Sequence, residues 1–113
     1  MSIIEAASVD AMSINNEEKI LTLFIEDDIV WIDGEMSVEE HIQHLQKKIN
    51  AYIRFLNAKE HLKVYPEAEE YTPCIYAEFQ YRVPFDVEDA FQKLGDDLKA
   101  KGIKFEYSIL QVI

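Results

Sequence analysis

The chain has 113 residues and a mass of 13.2 kDa, with 49% hydrophobic and 29% charged residues and only three glycines and three prolines. A chain of this length folds as one domain that buries roughly two-thirds of its unfolded surface, which excludes disorder and makes residues 1–113 a single α+β unit. The formal net charge of −11 repels nucleic-acid phosphate and anionic lipid, so it excludes DNA, RNA and membrane-surface binding as first readings.

The charge is unevenly placed. Residues 1–40 hold eleven acids against one base, Lys19, a net of −10, whereas residues 41–113 hold eleven acids against ten bases, a net of −1. Such a field attracts a basic partner. Cys74 is the single cysteine, which excludes a disulfide scaffold and a thiolate-rich zinc site and fits a reducing compartment. Residues 1–8 lack a basic region and a long apolar stretch, and no segment reaches the ~20 apolar residues of a bilayer span. The expectation is a soluble cytoplasmic protein.

In chain order, residues 1–8 read as a loose end. Two β-prone runs, 9–14 and 20–25, flank Asn15-Asn16-Glu17-Glu18-Lys19, whose asparagines tolerate turn geometry, and predict a hairpin. Ile29-Val30-Trp31-Ile32, between Glu26-Asp27-Asp28 and Asp33-Gly34, reads as a strand extension or a buried loop. Val38, Ile42, Leu45, Ile49, Tyr52, Ile53 and Leu56 keep one face of a 3.6-residue period and predict a helix over 38–57. Ser37, three residues before Glu40, forms a capping box at its start. Pro66 and the surrounding acids predict a solvated connection over 62–71.

The period then changes to two. Ile75, Ala77, Phe79, Tyr81 and Val83 share one side of a strand that Pro84 stops. Asp86 caps a second helix with the stripe Val87, Ala90, Phe91, Leu94 and Leu98, and Gly102 lies just past its end. Ile103, Phe105, Tyr107 and Ile109 alternate in a last strand. The order β-β-α-β-α-β predicts a two-layer α+β sandwich, a four-stranded mainly antiparallel sheet with both helices on one face. The other face carries Tyr76, Glu78, Gln80, Arg82, Lys104, Glu106 and Ser108.

Candidate chemistry is sparse. His41 and His44, with Glu40 adjacent, have a spacing that can share a metal, but no second glutamate-x-x-histidine element accompanies them, so they are weak metal candidates. The acidic run from Glu26 to Glu35 lacks the alternating ligands of a calcium loop, because residues 29–32 fill its middle. Its members Asp27, Asp28, Asp33 and Glu35, with Trp31 among them, are the candidate partner-binding residues; an acid-ringed tryptophan is either core or a binding hot spot. No glycine-rich turn or neighbouring histidine activates Cys74, and no phosphate loop, nucleophile elbow or dinucleotide fingerprint occurs. No cofactor is called for.

Several stretches together resemble an uncharacterised bacterial family of domains of about a hundred residues whose function is unknown. They are Val9-Asp10 with Ile14, Leu21-Thr22-Leu23, Trp31, Glu40-His41, the run from Leu45 to Tyr52 with Phe55, and Tyr65-Pro66-Glu67-Ala68. The resemblance implies a bacterial source and a single-domain protein, and it implies no activity. The functional expectation is therefore an acidic protein-binding module, in its sharpest form an immunity-type inhibitor that masks the cationic cleft of a basic partner. The alternatives are a small metal- or ligand-binding enzyme around Glu40, His41 and His44, and a structural homodimer paired through sheet edges or the outer sheet face.

Overall fold

A computed structural model describes residues 9–110, so the loose end expected at residues 1–8 lies outside the described residues. The elements are β1 (Ala11–Asn15), β2 (Ile20–Asp27), α1 (Val38–Asn57), two 3₁₀ turns (Glu60–Lys63 and Pro66–Glu70), β3 (Thr72–Phe79), α2 (Phe85–Lys99) and β4 (Lys104–Ile109). The class is α+β, with four strands and two helices. No helix among the described residues is long and apolar enough to cross a membrane.

The sheet is mixed, not mainly antiparallel. Its spatial order is β1-β2-β3-β4; β1 pairs antiparallel with β2, whereas β2–β3 and β3–β4 are parallel. The reason lies in the connections. A turn that reverses the chain makes an antiparallel pair, but a helix between strands carries the chain back to its starting end, so the next strand runs the same way. Two successive crossovers of the usual right hand, both stepping in one direction across the sheet, place both helices on the same face.

The hairpin turn is built as its asparagines suggest. Asn15 Oδ1 accepts the amides of Glu17 and Glu18, each at 3.0 Å, and Lys19 takes a left-handed φ of 57°. Its register sets Met12 opposite Leu23 and Ile14 opposite Leu21, on the helix-covered face. That face continues through Ile25, Ile75, Ala77 and Phe79, and α1 and α2 cover it with Leu45, Ile49, Tyr52, Val87, Phe91 and Leu98. Phe79 and Phe91 stack at 4.9 Å, and Tyr107 meets both rings edge-on. These aromatic contacts join α2 to the two carboxyl-side strands.

Three local expectations change. β3 runs over Thr72–Phe79, so Tyr81 and Val83 fall outside it: Gln80 donates to the Asp27 carbonyl (2.9 Å) as a last rung, and the chain then turns toward α2. α2 begins at Phe85 with Pro84 as its cap residue, because the proline ring already holds φ at −59°; Asp86 lies in the first turn instead of capping it. The 62–71 connection is structured, with Pro66 opening a 3₁₀ turn that buries Ala68. Ser37 does cap α1, its hydroxyl accepting the Glu40 amide at 3.1 Å.

Candidate functional site

The topology brings the carboxyl ends of β2, β3 and β4 and the amino ends of both helices to one end of the molecule. In open sheets with parallel crossovers, this is where ligands are bound. Two loops, residues 28–37 and 80–84, cover this end, and most of the candidate residues lie in the first of them or beside it.

Asp27 is the last residue of β2 and sits beside Phe79, on the helix-covered face. A carboxylate there must find a donor inside the protein. It finds His41, in the first turns of α1, whose Nε2 lies 2.6 Å from Asp27 Oδ2; both side chains are 0% exposed. Asp27 Oδ1 accepts the Ile29 amide at 3.0 Å, which starts the loop in a tight turn. Trp31, 3% exposed, lies flat on the His41 ring at 3.4 Å and edge-on to Phe79 and Phe91. His41 Nδ1 and Trp31 Nε1 are buried without a hydrogen-bond partner.

The acid-and-tryptophan set thus divides. Asp27 and Trp31 face inward and anchor the loop, so they are not surface contact residues; Asp28, Asp33 and Glu35 are exposed. The metal candidates divide as well. His41 Nε2 is engaged by Asp27, Glu40 is exposed at the helix start, and His44 is partly exposed one turn on. Among the described residues no three histidine, cysteine or acidic side chains form a ligand group.

A second inward acid has its own partner. Asp10 Oδ1 accepts Lys48 Nζ at 2.8 Å and Oδ2 accepts the Glu26 amide at 2.9 Å, while the Asp10 amide donates to Tyr52 Oη. Tyr52 in turn donates to the Phe24 carbonyl, and burial holds its hydroxyl well above the ordinary tyrosine range. This cluster ties the entry of β1 to α1. Lys48 is completely buried, which is tolerable only with such pairing. Cys74 is also buried, and burial followed by the nearby Glu106 charge pushes its thiol up to about 11, as for an inert structural thiol.

The sequence reading missed the apolar part of this end. Of the six exposed large hydrophobic residues among the described ones, five (Val30, Ile32, Tyr81, Phe85 and Leu110) lie in the two loops, at the start of α2 or just past β4. Phe85 is 85% exposed. Two of them, Ile32 and Phe85, line a cleft of about 390 Å³ together with Val83, Pro84 and Ile109, with Arg82 and Glu88 as its polar residues. Glu88 is fixed by the Tyr107 hydroxyl, which donates to its Oε1 at 3.0 Å. A signal existed: Phe85 stands two positions before Val87, about 200° around α2, and so lies off that helix's apolar stripe.

Over this end of the molecule as a whole the charge is one-sided. Asp28, Asp33, Glu35, Glu39, Glu40, Asp86 and Asp89 are exposed and Glu88 half-buried, against Arg82 as the base in the same loops and first helical turns. A second cleft, about 400 Å³, lies at the opposite end and mixes Lys59, His61 and Lys101 with Glu69 and Glu70.

Comparison with curated proteins and with solved structures finds no match. A family model matches residues 1–111, a span that contains every element described above. The chain belongs to the family of unknown function DUF6572.

Proposed function

We propose that the protein is an acidic binding module that engages a basic protein partner at the carboxyl end of its sheet. The observation that carries the reading is the concentration of exposed carboxylates there, above all Asp28, Asp33 and Glu35, which stand on the loop before α1 and outside both helices. In its finer form the module is an immunity-type inhibitor working in the bacterial cytoplasm, covering the cationic substrate cleft of a nuclease-like protein by charge complementarity. Nucleic acid and membrane surfaces are not partners in this reading, because the same field repels them.

The test starts from a partner captured at low salt and identified by mass spectrometry. Its association with the wild-type chain is compared with a triple variant, Asp28→Asn, Asp33→Asn and Glu35→Gln. Steering by these charges predicts association slowed by about tenfold at low ionic strength and a flatter salt dependence. Equal rates for both chains would sink the proposal.

A further inference from the structure

We infer that the cleft bounded by Ile32, Val83, Phe85 and Ile109 receives an apolar side chain of a partner segment whose neighbouring residues are lysine or arginine. The inference rests on the acidic-module reading and adds to it the chemistry of the contact.

Phe85 is the anomaly that starts the argument. It is the first residue of α2 and points away from that helix's buried stripe of Val87, Phe91 and Leu98. No ring contact holds Phe85 among the described residues, and a phenyl group left 85% exposed costs solvation free energy. It is not isolated, since Ile32, 46% exposed, lines the same cleft together with Val83, Pro84 and Ile109. Scattered exposed apolar residues need no explanation; a group of them around one concavity with a polar rim marks an interaction site.

Size and charge select the occupant. At about 390 Å³ the cleft is near the lower bound of ligand pockets, room for one or two side chains. Its lining carries one base, Arg82, and one acid, Glu88, and the exposed carboxylates Asp33 and Asp86 follow the lining residues Ile32 and Phe85 directly in sequence. An apolar residue seated in the cleft would hold its sequence neighbours against these carboxylates. A second copy of this chain fits poorly, because a two-fold contact would set the same acidic rim against itself. Anionic lipid is repelled for the same reason.

The experiment selects a random twelve-residue peptide display library on the full chain and measures the enriched peptides by fluorescence anisotropy. Expected are peptides with one aliphatic or aromatic residue flanked by lysine or arginine, weakened by high salt and weakened by at least about 30-fold by Phe85→Ala. Ile32→Ser is the second variant and should act in the same direction. Both side chains are substantially exposed, and an unchanged melting temperature shows that lost binding is not lost folding.

Basic peptides without an apolar position, bound equally by the Phe85→Ala chain, would overturn the anchor while leaving the charge reading standing. Apolar peptides without cations would overturn the partner chemistry and the charge reading together. Failure to enrich any sequence would overturn both. A dimer at micromolar concentration that Phe85→Ala dissociates would overturn the inference by giving the cleft to a second copy.

Discussion

The two ends of the sheet are built from the same kinds of element and carry opposite surfaces. At the amino ends of β2 and β3, charges of both signs mix, with Glu17, Glu18, Glu60, Glu69 and Glu70 against Lys19, Lys59, Lys63 and Lys101. They also engage one another and their neighbours: Lys63 lies 3.6 Å from Glu60, Lys19 sits over the Tyr71 ring, and the Tyr71 hydroxyl donates to Asn16. At the carboxyl ends the surface is acidic around an apolar centre. Helix dipoles account for part of this contrast, since acids stand in the first turns of α1 and α2 and a base in each last turn, Arg54 and Lys99. Asp28, Asp33 and Glu35 lie outside both helices, and the dipoles give no reason for the exposed ring of Phe85. After the dipoles are subtracted, the comparison leaves an acidic loop beside exposed apolar side chains.

The largest effect should come from unpinning the loop that carries that surface. His41→Ala removes the partner of Asp27 and leaves a completely buried carboxylate with one amide donor, which costs about 3–5 kcal/mol. For a domain of this size, a loss of that order lowers the melting temperature by on the order of 15 °C or more. His61→Ala at the other end removes a ring whose Nδ1 has no partner, and should cost no more than about 1 kcal/mol. Thermal unfolding of the two variants checks the pair. Equal losses would mean that the Asp27–His41–Trp31 stack does not anchor the acidic end.

How much of this was legible in the sequence depends on whether the signal is local. α1 was readable to its boundaries because its apolar period and the Ser37 cap are local properties, and the hairpin was readable from its asparagines. The parallel pairing of β2, β3 and β4 was not, because pairing direction follows from connections, and the economy of two layers says nothing about them. Asp27 looked like a surface acid because its sequence neighbours are acids. Its burial depends on His41, fourteen residues away, and on Trp31 folding back over the ring. His41, Leu45, Lys48 and Tyr52 do share one face of α1, so two polar residues beside the apolar stripe were an available sign of inward pairing. Phe85, off its helix's stripe, was the corresponding sign of an outward side chain.

A middle-sized effect separates the ends through their glycines. A Cβ on Gly34 would stand 2.7 Å from the Val30 carbonyl oxygen, so Gly34→Ala must displace the backbone of the acidic loop, at about 1–3 kcal/mol. Gly102, just after α2, has open space around it but a φ of 77°, so Gly102→Ala costs about 1 kcal/mol through conformation alone. The distinguishing measurement is amide hydrogen exchange. Gly34→Ala should accelerate exchange at Ile29, whose amide is held by Asp27, whereas Gly102→Ala should leave it unchanged. Unchanged exchange at Ile29 in both variants would separate the loop's shape from its glycine.

The smallest effect concerns the mixed end, where His61 reports the local field. Burial disfavours the imidazolium, and the nearby Lys59 cation disfavours it further, so its pKa lies below the ordinary 6.5. Above pH 6.5 the ring is neutral in both the folded and the unfolded chain, and its contribution to stability is fully present. As the pH falls, the unfolded chain takes the proton first, so that contribution is lost as the pH drops through the folded value. His61→Gln should flatten the acid side of the stability profile, and Lys59→Gln should move the imidazole midpoint upward in a proton NMR titration. A wild-type midpoint at or above 6.5 would show that the carboxylates Glu69 and Glu70 of the same cleft dominate His61, and the two ends would then differ less in electrostatic character than their sequences suggest.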